Sequence, residues 1–271
     1  VKNTGWEFLV NYRKQLTKDF SIDATLNLST LKNEVLSLGD NVQPITSGAM
    51  SSSFSDSPSI TKPGEAIGSF YGYKINGFDA DGNFIFADTD NNGSVDANDK
   101  VILGNPIPDF SYGLNLTMSY KDFDLTMFFQ GVQGNEIFNQ KKYTYYFDYS
   151  NNCVTDVLNA WTKNNQNTNI PIMKTQNTDG GNSLPSEFYI EDGSYFRCKN
   201  LQLGYNFPKS ILNKISFNKL RVYAGVQNLF TITNYSGYDP EVSSNALFSR
   251  GIDSASYPNA RTFTFGFNAS F

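Results

Sequence analysis

Alternation of apolar and polar residues with a period of two constrains the fold of this chain most strongly. In residues 261–271 the apolar members are Phe263, Phe265, Phe267, Ala269 and Phe271, and small or polar residues stand between them. Successive side chains of a β-strand point to opposite faces, so the pattern predicts a strand with one apolar and one polar face. A tilted strand of about 9–11 residues is long enough to cross the hydrocarbon layer of a membrane.

The same alternation recurs along the chain and predicts about seven strands. They span residues 6–12, 20–29, 110–120, 123–130, 195–207, 220–230 and 261–271. Short connections alternate with long ones, and the long connections span about residues 33–109, 133–194 and 231–260. Outer-membrane barrels have short periplasmic turns, long external loops, and strands that are apolar towards lipid and polar towards the lumen. The sequence therefore predicts an all-β fold: a portion of an antiparallel transmembrane β-barrel with long extracellular loops.

A soluble β-sandwich also has alternating strands. Two features disfavour it here: loops of about 60–75 residues are uncommon in compact domains, and one strand face is rich in Phe, Leu and Met over its full length. A secreted β-sandwich carbohydrate-binding module with a calcium loop is the alternative interpretation. A passive porin-like channel is a third one.

The number of strands predicts that the barrel is larger than this chain. Bacterial single-chain barrels have an even number of strands and at least eight, whereas about seven are found here. A final strand that follows a long external loop runs from the outside to the periplasm. Because neighbouring strands alternate in direction, the first of seven strands also runs from the outside to the periplasm. We therefore expect residues 1–271 to form the C-terminal segment of a barrel, whose first strand pairs with residues outside this sequence.

Composition excludes several classes of function. The chain has no histidine, which removes Ser-His-Asp, Cys-His and histidine–metal chemistry, and we predict that it is not an enzyme. The two cysteines, Cys153 and Cys198, are far apart in sequence and give no basis for a disulfide. The net charge is −5 with no basic stripe, so no nucleic-acid partner is expected. No apolar stretch approaches the length of a transmembrane helix.

An acidic segment predicts a calcium site in the first long connection. Its candidate ligands are Asp88, Asp90, Asn92, Ser94 through its carbonyl, Asp96 and Asp99. They occupy positions 1, 3, 5, 7, 9 and 12 of a loop similar to an EF-hand or dockerin loop, with Gly93 at position 6 for the sharp turn. The bound Ca²⁺ would stiffen the loop. The alternative is a metal-free acidic turn, since Asp, Asn and Gly favour turns in any case.

Other polar and aromatic groups in the long connections have two interpretations. Acidic residues at 191–192, 239 and 241 have no partner base in view, and we expect them to bind strand ends, a lid or solvent. Tyr143, Tyr145, Tyr146, Phe147, Tyr149 and Trp161 form an aromatic group in the second long connection. These rings either contact a substrate such as a glycan or pack against neighbouring loops. Gly131 and Gly134 indicate the end of a strand rather than a phosphate loop.

Several segments, taken together in their order and spacing, resemble the C-terminal region of SusC/RagA-type TonB-dependent outer-membrane transporters. They lie at residues 71–77, 88–99, 103–110, 112–114, 123–125, 129–131, 191–197, 199–205, 221–223, 227–230 and 237–242, and at the terminal Phe271. The similar segments are distributed across most of the chain.

The resemblance implies a barrel of about 22 strands, of which this chain would be the last third, with an N-terminal plug. It also implies an importer of glycans or peptides, energised through TonB, with a SusD-like surface lipoprotein as its lid. Nothing in residues 1–271 corresponds to the plug or the TonB box. The expected partners are therefore the SusD-like lipoprotein, the remainder of the same barrel with its plug, TonB through the missing N-terminal part, and outer-membrane lipid. The implied location is the outer membrane of a Gram-negative, Bacteroides-like bacterium.

Overall fold

The computed structural model of the chain describes residues 1–48, 56–148, 152–174, 181–214, 216–242 and 246–271. The strands are β1 (Lys2–Thr4), β2 (Glu7–Gln15), β3 (Phe20–Thr30), β4 (Lys32–Glu34), β5 (Ile45–Ser47), β6 (Ser59–Thr61), β7 (Ser69–Gly72), β8 (Ile75–Phe78), β9 (Phe84–Phe86), β10 (Val101–Gly104), β11 (Phe110–Tyr120), β12 (Phe123–Gln133), β13 (Glu136–Phe138), β14 (Ile190–Asp192), β15 (Tyr195–Asn206), β16 (Lys219–Thr233) and β17 (Thr262–Ser270). The helical segments are α1 (Lys209–Leu212), a π-helix at Tyr143–Phe147, and short 3-10 turns at Ala97–Asp99, Thr155–Asn159, Glu187–Tyr189 and Leu247–Ser249. None of the helices in these described ranges is both long enough and apolar enough to span a membrane.

Seven strands form one large sheet, in the order β17-β16-β15-β12-β11-β3-β2. Every neighbouring pair in this sheet is antiparallel, and the order follows the chain, so the sheet is an up-and-down meander. The predicted all-β antiparallel fold is confirmed. The seven predicted segments correspond to these seven strands, although the first strand is Glu7–Gln15 rather than residues 6–12.

The pairing register gives the large sheet an apolar and a polar face. On β11, Leu116 lies opposite Ala24 of β3 and Met127 of β12. The next residue, Thr117, lies opposite Asp23 and Thr126 on the other face. Because the side-chain period of a strand is two, each face keeps its character along the strand.

The two edge strands of the large sheet are exposed. All nine residues of β2 are exposed. On β17, Phe263, Phe265 and Phe267 are 64%, 80% and 71% exposed. An edge strand of a sheet offers unpaired backbone N–H and C=O groups. Large apolar side chains on an exposed strand favour a surface that is covered in the natural setting.

The main buried core lies outside the large sheet. It is formed by the three long connections, residues 31–109, 134–194 and 234–261, which we call the loop layer. The buried side chains of this core are Phe70, Phe84, Phe138, Tyr146, Phe147, Ala160, Ile170, Tyr189 and Ile252. Phe138 stacks on Tyr189 at 5.0 Å between ring centroids, and Phe70 lies 6.0 Å from Phe138. All three long connections therefore contribute to one packed body.

Short strands order the loop layer. β10, β7, β6 and β5 form a four-stranded sheet within the first long connection. Single parallel bridges then join the first connection to the second, at Tyr73 and Ser186, and the second to the third, at Phe138 and Ile252. These connections were predicted only as loops. Strands of three or four residues are too short to give a period-two signal, and pairing between distant segments decides whether they form.

Candidate functional site

The acidic loop lies in the loop layer between β9 and β10. Gly93 has a φ of +87°, a backbone conformation that favours glycine, at the position where the sequence predicts the sharp turn. The loop ends in the 3-10 turn Ala97–Asp99, whose N-cap is Asp96. The Asp96 carboxylate accepts from the Asn98 backbone N–H at 2.7 Å, and the Asp99 carboxylate accepts from the Asp96 N–H at 2.8 Å. This reciprocal capping fixes the end of the loop.

Three of the six predicted ligands come together. Carboxylate oxygens of Asp88, Asp90 and Asp99 all lie within 4.8 Å of one another. Asp96 lies outside this group because its carboxylate caps the 3-10 turn. Asn92 donates from its amide to Asp90 at 3.0 Å and accepts from the Ser94 backbone N–H at 2.8 Å, so both residues lie in the turn between the clustered acids.

Asp99 is the buried member of this group, with no exposed surface. Its carboxylate accepts hydrogen bonds from the backbone N–H groups of Asp96 and Thr89, at 2.8 and 2.6 Å. The bond from Asp96 is the largest influence and, with those from Thr89 and Asp90, holds the pKa of Asp99 below its ordinary value despite desolvation. The residue is therefore an anion at neutral pH. Three close carboxylates at the positions of an EF-hand-like loop are a donor set that suits a hard cation such as Ca²⁺.

A second charged cluster ties the third long connection to the beginning of β15. Arg197 is 2% exposed, and it donates to Asp239 and to Glu241, each at 2.5 Å. Lys199 also donates to Glu241, at 2.8 Å. A register shift between Cys198 and Asn200 interrupts the ladder at this point.

The cluster shows why Asp239 keeps its charge. Burial by itself raises the pKa of Asp239, but hydrogen bonds from Arg197 and from the backbones of Asn259 and Glu241 outweigh it and leave the pKa lowered. The expectation that the acids at 239 and 241 bind a strand end agrees with this geometry. Their cationic partner, Arg197, was not singled out from the sequence, because a lone arginine in an alternating strand gives no signal of its own.

Glu191 makes the corresponding link between the second and third connections. Its carboxylate pairs with Lys142 at 2.9 Å and accepts from the Ser236 hydroxyl at 2.9 Å and backbone N–H at 2.8 Å. Burial raises the pKa of Glu191, but Lys142 and Ser236 outweigh burial, and the net pKa is lowered. Asn139 also donates to Glu191, at 3.0 Å. The second and third connections are thus joined by a seam of ion pairs and hydrogen bonds.

The aromatic group of the second connection lies partly in the core and partly at the wall of a cavity. Tyr146, Phe147 and Trp161 are at most 9% exposed, and Tyr146 and Phe147 pack within the main core. Tyr143 and Tyr145 pack against this core and also line a cavity of about 320 Å³ between the second and third connections. Tyr149 lies outside the described residues.

Two residues that the sequence did not single out complete the wall of that cavity. Lys141 and Tyr238 line both the 320 Å³ cavity and an adjoining cavity of about 450 Å³. The Lys141 ammonium lies 3.2 Å from the centre of the Tyr238 ring and 5.7 Å from that of Tyr145. A lysine on aromatic faces is stabilised by cation–π attraction. The lysine was missed because its partner ring lies almost a hundred residues away in the sequence.

The two cysteines are free thiols. Cys153 is exposed and Cys198 is buried, and no bridge joins them. Cys198 lies on β15 with no exposed surface, so its thiol is shielded from reagents in solution.

Comparison with known proteins gives a consistent result in sequence and in fold. The whole chain is 37% identical to TonB-dependent receptor P3 of Formosa agariphila over 295 residues, and 31% identical to TonB-dependent receptor SusC of Bacteroides thetaiotaomicron over 280 residues. A solved structure of the RagAB peptide transporter matches 99% of the chain with a TM-score of 0.80 and 24% identity. The resemblance to SusC/RagA-type receptors is confirmed. No family model matches the chain.

The chain spans less than a third of these SusC/RagA-type relatives. It covers 29% of receptor P3, 26% of SusC and 29% of the matched RagAB chain. These relatives are receptors and a transporter rather than enzymes, in agreement with the prediction that the chain is not an enzyme. The alternative of a β-sandwich binding module does not fit, because the matched fold is that of a RagAB chain and the apolar rings of β17 remain exposed.

Proposed function

We propose that the chain forms the C-terminal segment of the barrel wall, and three of the surface loops, of an outer-membrane active importer. The observation that carries the proposal is the large antiparallel sheet with one apolar face, whose outer rings are exposed on β17. Strands of 9 to 15 residues, such as β2 and β16, are long enough to cross a bilayer when tilted. The apolar face then lies against lipid and the polar face lines the lumen.

The remainder of the same barrel completes the sheet. β2 and β17 lie at opposite edges of the sheet, and each pairs with only one neighbour among the described strands. Closure removes such edges in a barrel, and about 22 strands with a plug would enclose the lumen. We therefore propose that β2 and β17 each pair with a strand from the rest of the protein, which also carries the plug and the TonB-contacting segment.

The substrate class and the other partners follow from the same proposal. Relatives of the chain are named as TonB-dependent receptors, and one solved relative is a peptide importer. We propose that the protein takes up peptides or glycans that are too large for porins, with energy supplied through TonB. A surface lipoprotein of the SusD type would close over the loop layer, which lies at one end of the strands.

An uptake experiment in the native bacterium tests this function. Deletion of the gene should abolish growth on the peptides or glycans that the protein imports, and loss of TonB should have the same effect. The protein should fractionate with the outer membrane and migrate faster on a gel before boiling than after it, as a folded barrel does. Purification without detergent in a folded, soluble form would contradict the proposal, and uptake that persists without TonB would favour a passive channel.

We also propose that the acidic loop binds one Ca²⁺. The support is the spacing of Asp88, Asp90, Asn92, Ser94, Asp96 and Asp99, together with the three carboxylates gathered within 4.8 Å. Ca²⁺ tolerates irregular oxygen geometry better than Mg²⁺, and position 9 of such loops often binds the ion through water. The ion would offset the repulsion among the clustered carboxylates and stiffen the segment between β9 and β10.

Calcium titration of the intact protein tests this second proposal. Ca²⁺ should raise the thermal stability of the loop layer, and Asp88→Ala together with Asp90→Ala should remove that effect. Asp81→Ala is the matched control, because Asp81 is an exposed acid of the same connection outside the cluster. A calcium response that survives the double substitution would contradict the site.

A further inference from the structure

Lys141 is a buried cation in an unusual setting. Its side chain is 7% exposed, and no ion pair joins it to a carboxylate within the described parts of the chain. The neighbouring Lys142, by contrast, pairs with Glu191 at 2.9 Å. Lysine is almost never fully buried unless it is paired, because removal of the ammonium group from water is costly. The aromatic faces of Tyr145 and Tyr238 supply part of the missing stabilisation.

The cavity beside Lys141 is suited to an anion. The side chains that line its 320 Å³ are Gln140, Lys141, Tyr143, Thr144, Tyr145, Tyr238, Ser254 and Ala255, and none of these is acidic. The volume is at the lower end of the range found for small-molecule sites, enough for one residue-sized group. Three tyrosine rings offer flat apolar faces, and the hydroxyl and amide groups offer hydrogen bonds.

The walls of the cavity are held in place from both sides. Ser254 donates to the Gln140 side chain at 2.8 Å, which links the third connection to the second. The Tyr235 hydroxyl donates to Asp253 at 2.6 Å, and the Asp253 N–H donates to the Phe138 carbonyl at 2.9 Å. A site between two loops that are fixed to each other is preorganised, which reduces the cost of binding.

We propose that this cavity is a subsite for a carboxylate carried by a residue-sized ligand with a flat or apolar face. The Lys141 ammonium pairs with the carboxylate, and Tyr145 and Tyr238 contact the adjoining face. The inference deepens the proposed import function, on which it rests for the identity of the ligand. The carboxylate belongs either to the C-terminus of a peptide or to a uronic acid of a glycan, and both present the same charged group.

Binding of 3-phenylpropionate, with its amide as the neutral counterpart, tests the subsite. The natural full-length protein in detergent should bind the acid in preference to the amide. Lys141→Met should weaken binding of the acid about tenfold, because one charge-assisted interaction is lost. Lys163→Met is the matched control, since Lys163 is an exposed lysine of the same connection and lies away from this cavity. Tyr238→Phe keeps the ring and should retain most of the binding.

Two results of this binding experiment would overturn the inference. Either the amide binds as well as the acid, or Lys141→Met binds the acid as the unaltered protein does while its thermal stability shows that it is folded. Competition experiments then identify the source of the carboxylate. A peptide with a free C-terminus is compared with the same peptide amidated, and an oligogalacturonide is compared with a neutral oligosaccharide. If neither charged form displaces 3-phenylpropionate, the subsite does not serve transport and the inference fails. If the protein binds 3-phenylpropionate but imports no substrate, only the proposed function is contradicted.

Discussion

The aromatic residues of β17 and those of the loop-layer core lie in opposite environments. Phe263, Phe265 and Phe267 of the sheet are more than 60% exposed, whereas Phe138 and Tyr189 of the loop layer are completely buried. A protein in water buries large apolar side chains in its interior, and the core of the loop layer does so. The sheet does the reverse, as expected where lipid is the solvent for its outer face. One chain thus contains two regions that suit two solvents.

Ion pairs show the same difference between the regions. On the sheet, the Arg13 guanidinium pairs with Asp23 while its side chain is 83% exposed. In the cluster at the beginning of β15, Arg197 pairs with Asp239, and their side chains are 3% and 7% exposed. Exposed pairs contribute little to stability, whereas removal of one partner of a buried pair leaves an uncompensated charge. Order in the loop layer therefore depends on a few specific residues.

The largest effect is expected for Arg197→Met. It leaves the buried Asp239 without its cation and Glu241 with Lys199 alone, and should destabilise the third connection by about 3–5 kcal/mol. Hydrogen exchange of residues 234–242 should become much faster, while exchange in β11 and β12 stays slow. Arg13→Met is the matched control and should change stability by no more than about 1 kcal/mol. Equal effects of the two substitutions would remove the distinction between the regions.

A charge on either face of β11 should have a smaller and unequal effect. Leu116→Arg places a guanidinium on the apolar face and should cost about 2–4 kcal/mol near the bilayer midplane. Thr117→Arg places the same group on the polar face of the adjacent position and should cost clearly less. Denaturant unfolding from lipid vesicles measures both values. A greater cost for Thr117→Arg would reverse the assignment of the faces.

Acidification should loosen the loop layer by a smaller amount. The pKa values of Glu191 and Asp239 are lowered in the folded chain, so these groups stabilise it above the unfolded carboxylate pKa of about 4. That contribution is lost as the pH falls from this value through the folded pKa values. Fluorine NMR of fluorotryptophan at the buried Trp161 should report the change. Glu191→Gln should reduce the pH dependence, and an unchanged spectrum down to pH 2 would contradict the prediction.

The sequence was sufficient for the sheet and insufficient for the loop layer. Residues 110–120 were predicted with both ends correct, because eleven residues of strict alternation fix both strand and register. The acidic loop was recognised because its ligand positions are close in sequence, and the structure gathers Asp88, Asp90 and Asp99. The pairs of Arg197 with Asp239 and of Lys141 with Tyr238 join residues far apart in sequence. Contacts of this kind have no local pattern and become visible only once the connections are folded against one another.

The difference between the two regions requires that the apolar face of the large sheet contacts lipid while the loop layer contacts water. Phe265 and Leu158 form a matched pair for measuring this, since they are 80% and 84% exposed in the two regions. Each is replaced by a spin-labelled cysteine in a Cys153→Ser background, and the protein is reconstituted in bilayers. The label at 265 should relax with oxygen dissolved in lipid, and the label at 158 should relax with a water-soluble nickel chelate. Strong nickel relaxation at both positions would contradict the assignment of the apolar face to lipid.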